Sequence, residues 1–231
     1  MPVSADAGAS ARSNFWFSFD HGPVHVISGS SEHPYGTGTP QRVWIEAALA
    51  RATARRAEGK GSADWIIFSV HRPLLCSDGG AAVPSLHAEL SPLLQHHGVD
   101  VVLTGHAHCY ERIHPTYVNG TVASLPARRH AGPNGDEDVY VRPRAPVHVV
   151  NGAAGAFQHE TWNSPTPAWS AVRIADGFKR TAAGKTGHGI QSYEGSYSYG
   201  CFEMVNSTAM RYTVRSIAPR WNLTDTFWIV K

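Results

Sequence analysis

WIIFSVHRPLLCSD, residues 65–78, and VDVVLTGHAHCYERIHP, residues 99–115, each open with a short apolar run that stops at a histidine. Four to six apolar residues in a row, with no alternation, are what a strand shows when both of its faces are covered. Between them, around Leu86 to His97, lies a segment with helical spacing. Strand, helix, strand predicts a parallel pair joined by a crossover, and thus an α/β fold. In such a sheet His71 and the pair His106 and His108 leave the carboxyl ends of neighbouring strands. Loops converge on a crevice there, so residues far apart in sequence share one site.

Working outward, FWFSF (residues 15–19) and PVHVISG (residues 23–29) read as two strands around an Asp-His-Gly turn. Thr39-Pro40 offers a cap followed by proline at the first helical position, and the helix predicted after it ends at Gly59 with Ile45, Leu49 and Ala52 on its buried stripe. PVHVVNGAAG (residues 146–155) is a third buried-strand pattern. It follows a polar loop rich in Pro, Gly and Arg, with a small hairpin expected at Asn119-Gly120. SYGCFEMVNSTAMRYTVRS predicts an antiparallel hairpin turning at Asn206 to Ala209, and DTFWIV one more strand. Residues 1–13, rich in Ala, Ser and Gly, read as a flexible leader, and residues 14–231 as one domain.

Composition bounds the rest. A 231-residue chain that is 42% hydrophobic and 16% charged can build a packed core, and a net charge of +2 is too mild for a nucleic-acid binder. No stretch reaches the ~18 apolar residues of a membrane-spanning helix, and the first residues lack the apolar centre of a signal peptide. The three cysteines, Cys76, Cys109 and Cys201, allow at most one internal disulfide. Sequons at Asn119, Asn206 and Asn222 suit a glycosylated, secreted protein.

Imidazole ligands favour zinc, iron, nickel and copper over magnesium and calcium, so three histidines at strand ends point to transition metals. In an H-x-H segment leaving a strand the two rings diverge enough to face neighbouring ions. The plainer alternative is hydrogen bonding at the surface. His21, His25 and His33 are read as structural or solvated.

The stretches NFWFSFDHGPVHVISGSSEHPYGTGTPQRVWIEAAL, WIIFSVHRPLLCSD, VDVVLTGHAHCYERIHPTYVNGT, APVHVVNGAAG, PAWSAVRIADGF and YGCFEMVNSTAMRYTV resemble consecutive parts of the purple acid phosphatases, within the calcineurin-like metallophosphoesterases. The resemblance implies a four-layer α/β/β/α sandwich with metals at the strand ends. It implies His71 and His106 as ligands of a divalent ion (zinc, manganese or iron) and His108 as a ligand of Fe(III). It implies acid hydrolysis of phosphate monoesters, the metals polarising the phosphoryl oxygens and lowering the pKa of a water that attacks phosphorus in line. A further family histidine touches the phosphate or protonates the leaving group. His87 is the nearest candidate, with an exposed position on an amphipathic helix as the alternative. Tyr110 and Glu111 are expected to shape the loop, and Arg112 to pair with a carboxylate.

The resemblance implies three earlier segments, of the forms DxG, GDxxY and GNHE, which supply the family's carboxylates and tyrosinate; none stands ahead of the NFWFSFD stretch, and Met1-Pro2 resembles a dipeptide just upstream of the family's NFWYSFD-like strand. The chain is therefore expected to represent the C-terminal half of such a domain. That implies exposed strand edges, homodimerisation through them, weak metal binding, and a secreted or vacuolar/lysosomal full-length parent. The partner expected is a phosphate ester, with neither nucleic acid nor membrane. Two alternatives stand beside the phosphomonoesterase: a silent metal- or phosphate-binding module, and a phosphodiesterase or nucleotide hydrolase.

Overall fold

The computed structural model describes residues 14–59, 63–132, 135–155, 162, 165–174, 198–216 and 225–231. The predicted leader and the Asn222 sequon lie outside them.

A seven-stranded sheet forms the centre. It contains β1 (Phe17–His21), β2 (Val24–Ser28), β3 (Trp65–Val70), β4 (Val101–Thr104), β5 (Tyr110–Ile113), β8 (Val147–Asn151) and β9 (Ser170–Ile174), in the order β1-β2-β3-β4-β8-β5-β9. β2, β3, β4 and β8 run parallel, while β1, β5 and β9 pair antiparallel at the flanks. A second sheet orders β10 (Ser198–Met204), β11 (Ala209–Ser216), β12 (Asp225–Val230), β7 (Gly135–Val141) and β6 (Arg128–Gly132).

The unbroken apolar run of β3 has a simple cause. Ile66 and Phe68 face α1 (Pro40–Ala57) and α2 (Pro84–His96), packing with Ile45, Leu49, Leu86 and Leu90. Trp65 and Ile67 face the second sheet, packing with Tyr212, Phe227 and Ile229. Alternate side chains thus enter two different cores, and the strand has no wet face. Helices, mixed sheet and second sheet make three layers of the expected sandwich. Among the described residues no helix covers the outer face of the second sheet.

α1 starts as its sequence predicts: Thr39 Oγ1 accepts the Arg42 N–H, Pro40 begins the first turn, and Ile45, Leu49 and Ala52 are buried. α2 crosses from β3 to the parallel β4. The hairpin of β10 and β11 turns at the expected residues, and its neighbour β12 is the DTFWIV strand. At Asn119-Gly120 a tight turn closes the bridge between Thr116 and Val122, with Gly120 at φ +82°.

The loop expected between Asn119 and Pro146 needs correction, because it contains the β6–β7 hairpin. β7 finds its partner far along the chain, in parallel pairing with β12, so no local pattern announces it. The two sheets are pinned by one buried ionic group. Arg112 Nε and Nη2 donate to the Asp225 carboxylate at 2.7 and 3.1 Å, Nη2 also to Asp138 at 2.9 Å, and the Tyr110 hydroxyl donates to Asp225 at 2.7 Å. This is the expected carboxylate partner of Arg112. Among the described residues no helix is long and apolar enough to cross a membrane.

Candidate metal centre

β3 and β4 are adjacent and parallel, so their carboxyl ends bring the two histidine loops together. Gly105 N–H donates to the His71 carbonyl at 3.0 Å, tying one loop to the other at their first residues. Beyond that bond the chain turns sharply: Ala107 N–H reaches the Gly105 carbonyl at 2.7 Å and Cys109 N–H the Ala107 carbonyl at 2.8 Å. His106 sits at φ +64°, a left-handed conformation that costs a non-glycine residue on the order of 1–3 kcal/mol when the fold imposes it.

The result is a facing pair. His71 Nε2 and His106 Nδ1 lie 3.2 Å apart, with the rings edge to face at 5.0 Å between centroids. Two nitrogens bound to one ion at about 2.0–2.1 Å, subtending roughly 90–110°, would stand about 2.8–3.4 Å apart. The pair therefore fits a single shared transition-metal ion, and its imidazole donors suit zinc or iron. Two neutral rings can equally hold this separation by one N–H donating to the other nitrogen.

His108, half-buried, is close enough to act electrostatically on His106. Among the described residues, however, no three His, Cys, Asp or Glu side chains gather into a group that could hold an ion. Burial lowers the His106 pKa, and the charges of Arg72, His71 and His108 lower it further, against an opposing effect of Glu32. Arg72 donates to Glu32 through Nε at 2.9 Å, and its backbone N–H to Ser31 Oγ at 3.1 Å. Glu32 and Arg72 thus join the rim of the site, a pairing that their separation in sequence concealed.

Beside His71 a cavity of about 430 Å³ opens between the two sheets. Ser28, Ser69, Thr104 and Asn151 line it from the strand ends, facing Phe202 and Tyr212 of the hairpin. Asn151 is held there by Ser198 Oγ, which donates to its Oδ1 at 3.1 Å.

His87 lies elsewhere. It is buried on the inner face of α2 and bonded through Nδ1 to Ser91 Oγ at 2.6 Å. It also interacts with His148, inside the central sheet. The exposed-helix alternative is corrected: Leu86, Leu90 and Leu94 carry this side of α2 into the core, and His87 goes with them. Its surroundings are helix and strand, and it does not line the cavity beside His71. His25 is structural as expected, buried between Asp20 and Arg55, and His33 bonds to Ser30.

Glu111 is the support that sequence placed only loosely. It is fully buried, accepts from Ser77 N–H at 2.8 Å and Ser77 Oγ at 2.6 Å, and also from Ser170 Oγ. These bonds hold the segment after the HRP turn against β5. Gly152 of the NGAAG segment performs a second supporting task, allowing the 105–109 turn to approach β8.

Comparison with known proteins gives consistent neighbours. The calcineurin-like phosphoesterase family matches residues 8–110, and the iron/zinc purple acid phosphatase-like protein C family matches residues 145–217. Human acid phosphatase type 7 is 30% identical over 237 residues, covering 94% of this chain and 46% of that protein. A barley nucleotide pyrophosphatase/phosphodiesterase is 30% identical over 183 residues, 76% of this chain and 45% of that protein. The probable inactive purple acid phosphatase 24 of Arabidopsis thaliana is 32% identical over 184 residues, 76% of this chain and 27% of that protein. The chain spans less than half the length of these relatives. The purple acid phosphatase isolated from yellow lupin seeds shares the fold, with a TM-score of 0.70 at 22% identity over 97% of this chain and 34% of that one.

Proposed function

Since the chain belongs to the calcineurin-like phosphoesterases of purple acid phosphatase type, we propose that it carries the histidine side of a dinuclear site that hydrolyses phosphate monoesters at acidic pH. The observation that supports this reading is the 3.2 Å approach of His71 Nε2 to His106 Nδ1 at the ends of adjacent parallel strands. Iron(III) beside a zinc, manganese or iron(II) ion would supply the positive charge that draws a phosphate ester and activates water toward phosphorus.

The chain's own residues hold and aim. His71 and His106 would give nitrogen donors to the divalent ion, and His108 would be the donor to iron. The strained turn at His106 and the Gly105–His71 bond fix the backbone from which both rings project, so less ordering remains to be done when an ion binds. The cavity beside His71 receives the ester, with Asn151 and Ser69 as its polar walls. Residence in a secretory or vacuolar/lysosomal compartment belongs to the same proposal, as does glycosylation of Asn119 and Asn206, both on exposed turns.

A second reading, a silent metal- or phosphate-binding module, is favoured by one observation: among the described residues no carboxylate joins the histidine pair to complete a three-ligand cluster. The deciding experiment loads the chain with iron(III) and zinc(II) and follows p-nitrophenyl phosphate hydrolysis at acidic pH. Turnover that disappears in His106→Ala supports the hydrolase. Bound metal without turnover supports the silent module, and turnover unchanged in His106→Ala removes the site assignment.

A further inference from the structure

Cys76 and Cys109, which sequence could not pair, are brought side by side. Both are buried in one small cluster with Ala81, Ala107, Ile113 and Val150, close enough for their thiols to interact. Cys201 is exposed on β10, in the other sheet.

The backbone on both sides of the pair is already fixed by other bonds. Next to Cys76, Ser77 is clamped to Glu111 through its N–H and its hydroxyl. At Cys109 the carbonyl accepts Gly152 N–H at 3.1 Å, while its own N–H is bound to Ala107. Each cysteine is also close in sequence to a histidine of the candidate centre: Cys76 ends the turn that begins at His71, and Cys109 directly follows His108.

We propose that Cys76 and Cys109 form a disulfide when the chain folds in the presence of a disulfide oxidant, and that this bond staples the His71 loop to the His106–His108 loop. In the step, the two thiols lose two protons and two electrons. One sulfur–sulfur bond forms in the protein, and the oxidant's disulfide is reduced to two thiols. Because both sulfurs are sealed from solvent in the finished fold, the exchange takes place before burial is complete, and the finished bond resists reduction. The cross-link closes a loop of more than thirty residues, long enough to restrict the unfolded chain appreciably.

The pairing stands on this geometry alone; only the description of the loops as metal-bearing rests on the proposed function. The test uses the whole chain and its Cys201→Ser variant, refolded with oxidised glutathione, alkylated under denaturing conditions, digested and analysed by mass spectrometry. A peptide linking Cys76 to Cys109 in both proteins is expected. Three alkylated cysteines in the wild type, or a bond involving Cys201, would overturn the proposal. Thermal melting of the oxidised and reduced Cys201→Ser protein adds a second readout, with reduction expected to lower Tm by about 5–10 °C. Equal melting temperatures would overturn the staple. Neither measurement depends on hydrolysis, so its failure is distinct from failure of the phosphatase reading.

Discussion

A Cβ placed on Gly152 would stand 2.0 Å from the carbonyl oxygen of Ala107, so the NGAAG segment and the histidine turn touch backbone to backbone. Residue 152 has to be glycine because the neighbour is main chain, which cannot rotate aside.

Gly152→Ala should therefore push the 105–109 turn off β8, at a cost of about 1–3 kcal/mol. Urea unfolding measures that loss, and cobalt(II) titration should show weakened binding. Unchanged stability would mean that the turn is free to shift.

Removing one ring of the facing pair should affect metal binding as much as removing both. His71→Ala, His106→Ala and the double variant are each expected to lose at least tenfold in zinc(II) affinity by isothermal titration, with the double variant little worse than the singles. Additive losses would indicate separate sites.

The ionic group between the sheets gives a stability prediction. Arg112 and Asp225 are both buried, and truncating one leaves the other charged and unpaired. Arg112→Met should destabilise the chain by about 3–5 kcal/mol, and Arg112→Met with Asp225→Asn by clearly less. Chemical denaturation of the three proteins checks the order.

Stability should also fall with acid. Burial pushes the His148 imidazole down to about 3. Between that value and its unfolded value near 6.5, the unfolded chain binds the extra proton. The stabilising effect is thus complete above about 6.5 and declines as pH drops, by roughly 1.4 kcal/mol per pH unit. Buried His87, whose pKa burial also lowers, acts in the same direction. His148→Leu should flatten the profile between pH 6 and 4, read as urea midpoints across that range, provided the protein folds at pH 7; an unaltered slope would place the acid sensitivity elsewhere.

The elements most legible in the sequence were those whose partners lie nearby or whose packing leaves a local mark. β3 and β4 announced themselves because burial on both faces excludes polar residues. α1 did so through Thr39, Pro40 and its stripe, and the β10–β11 hairpin through its alternation. β6 and β7 gave no such sign: β7 owes its place to β12, almost ninety residues away by register. His87 misled for a related reason, since helical spacing fixes a face but not which neighbour covers it.

By itself, the sequence determined the α/β class, the parallel crossover and the placing of His71, His106 and His108 at strand ends, because these follow from periodicity and from where apolar runs stop. Tertiary structure alone decided which imidazoles meet, that Cys76 lies against Cys109, and that Glu111 and Gly152 brace the loops around them. Contacts of that kind depend on how separate segments stack in space, and a side chain carries no record of a neighbour it reaches only after the sheets have closed.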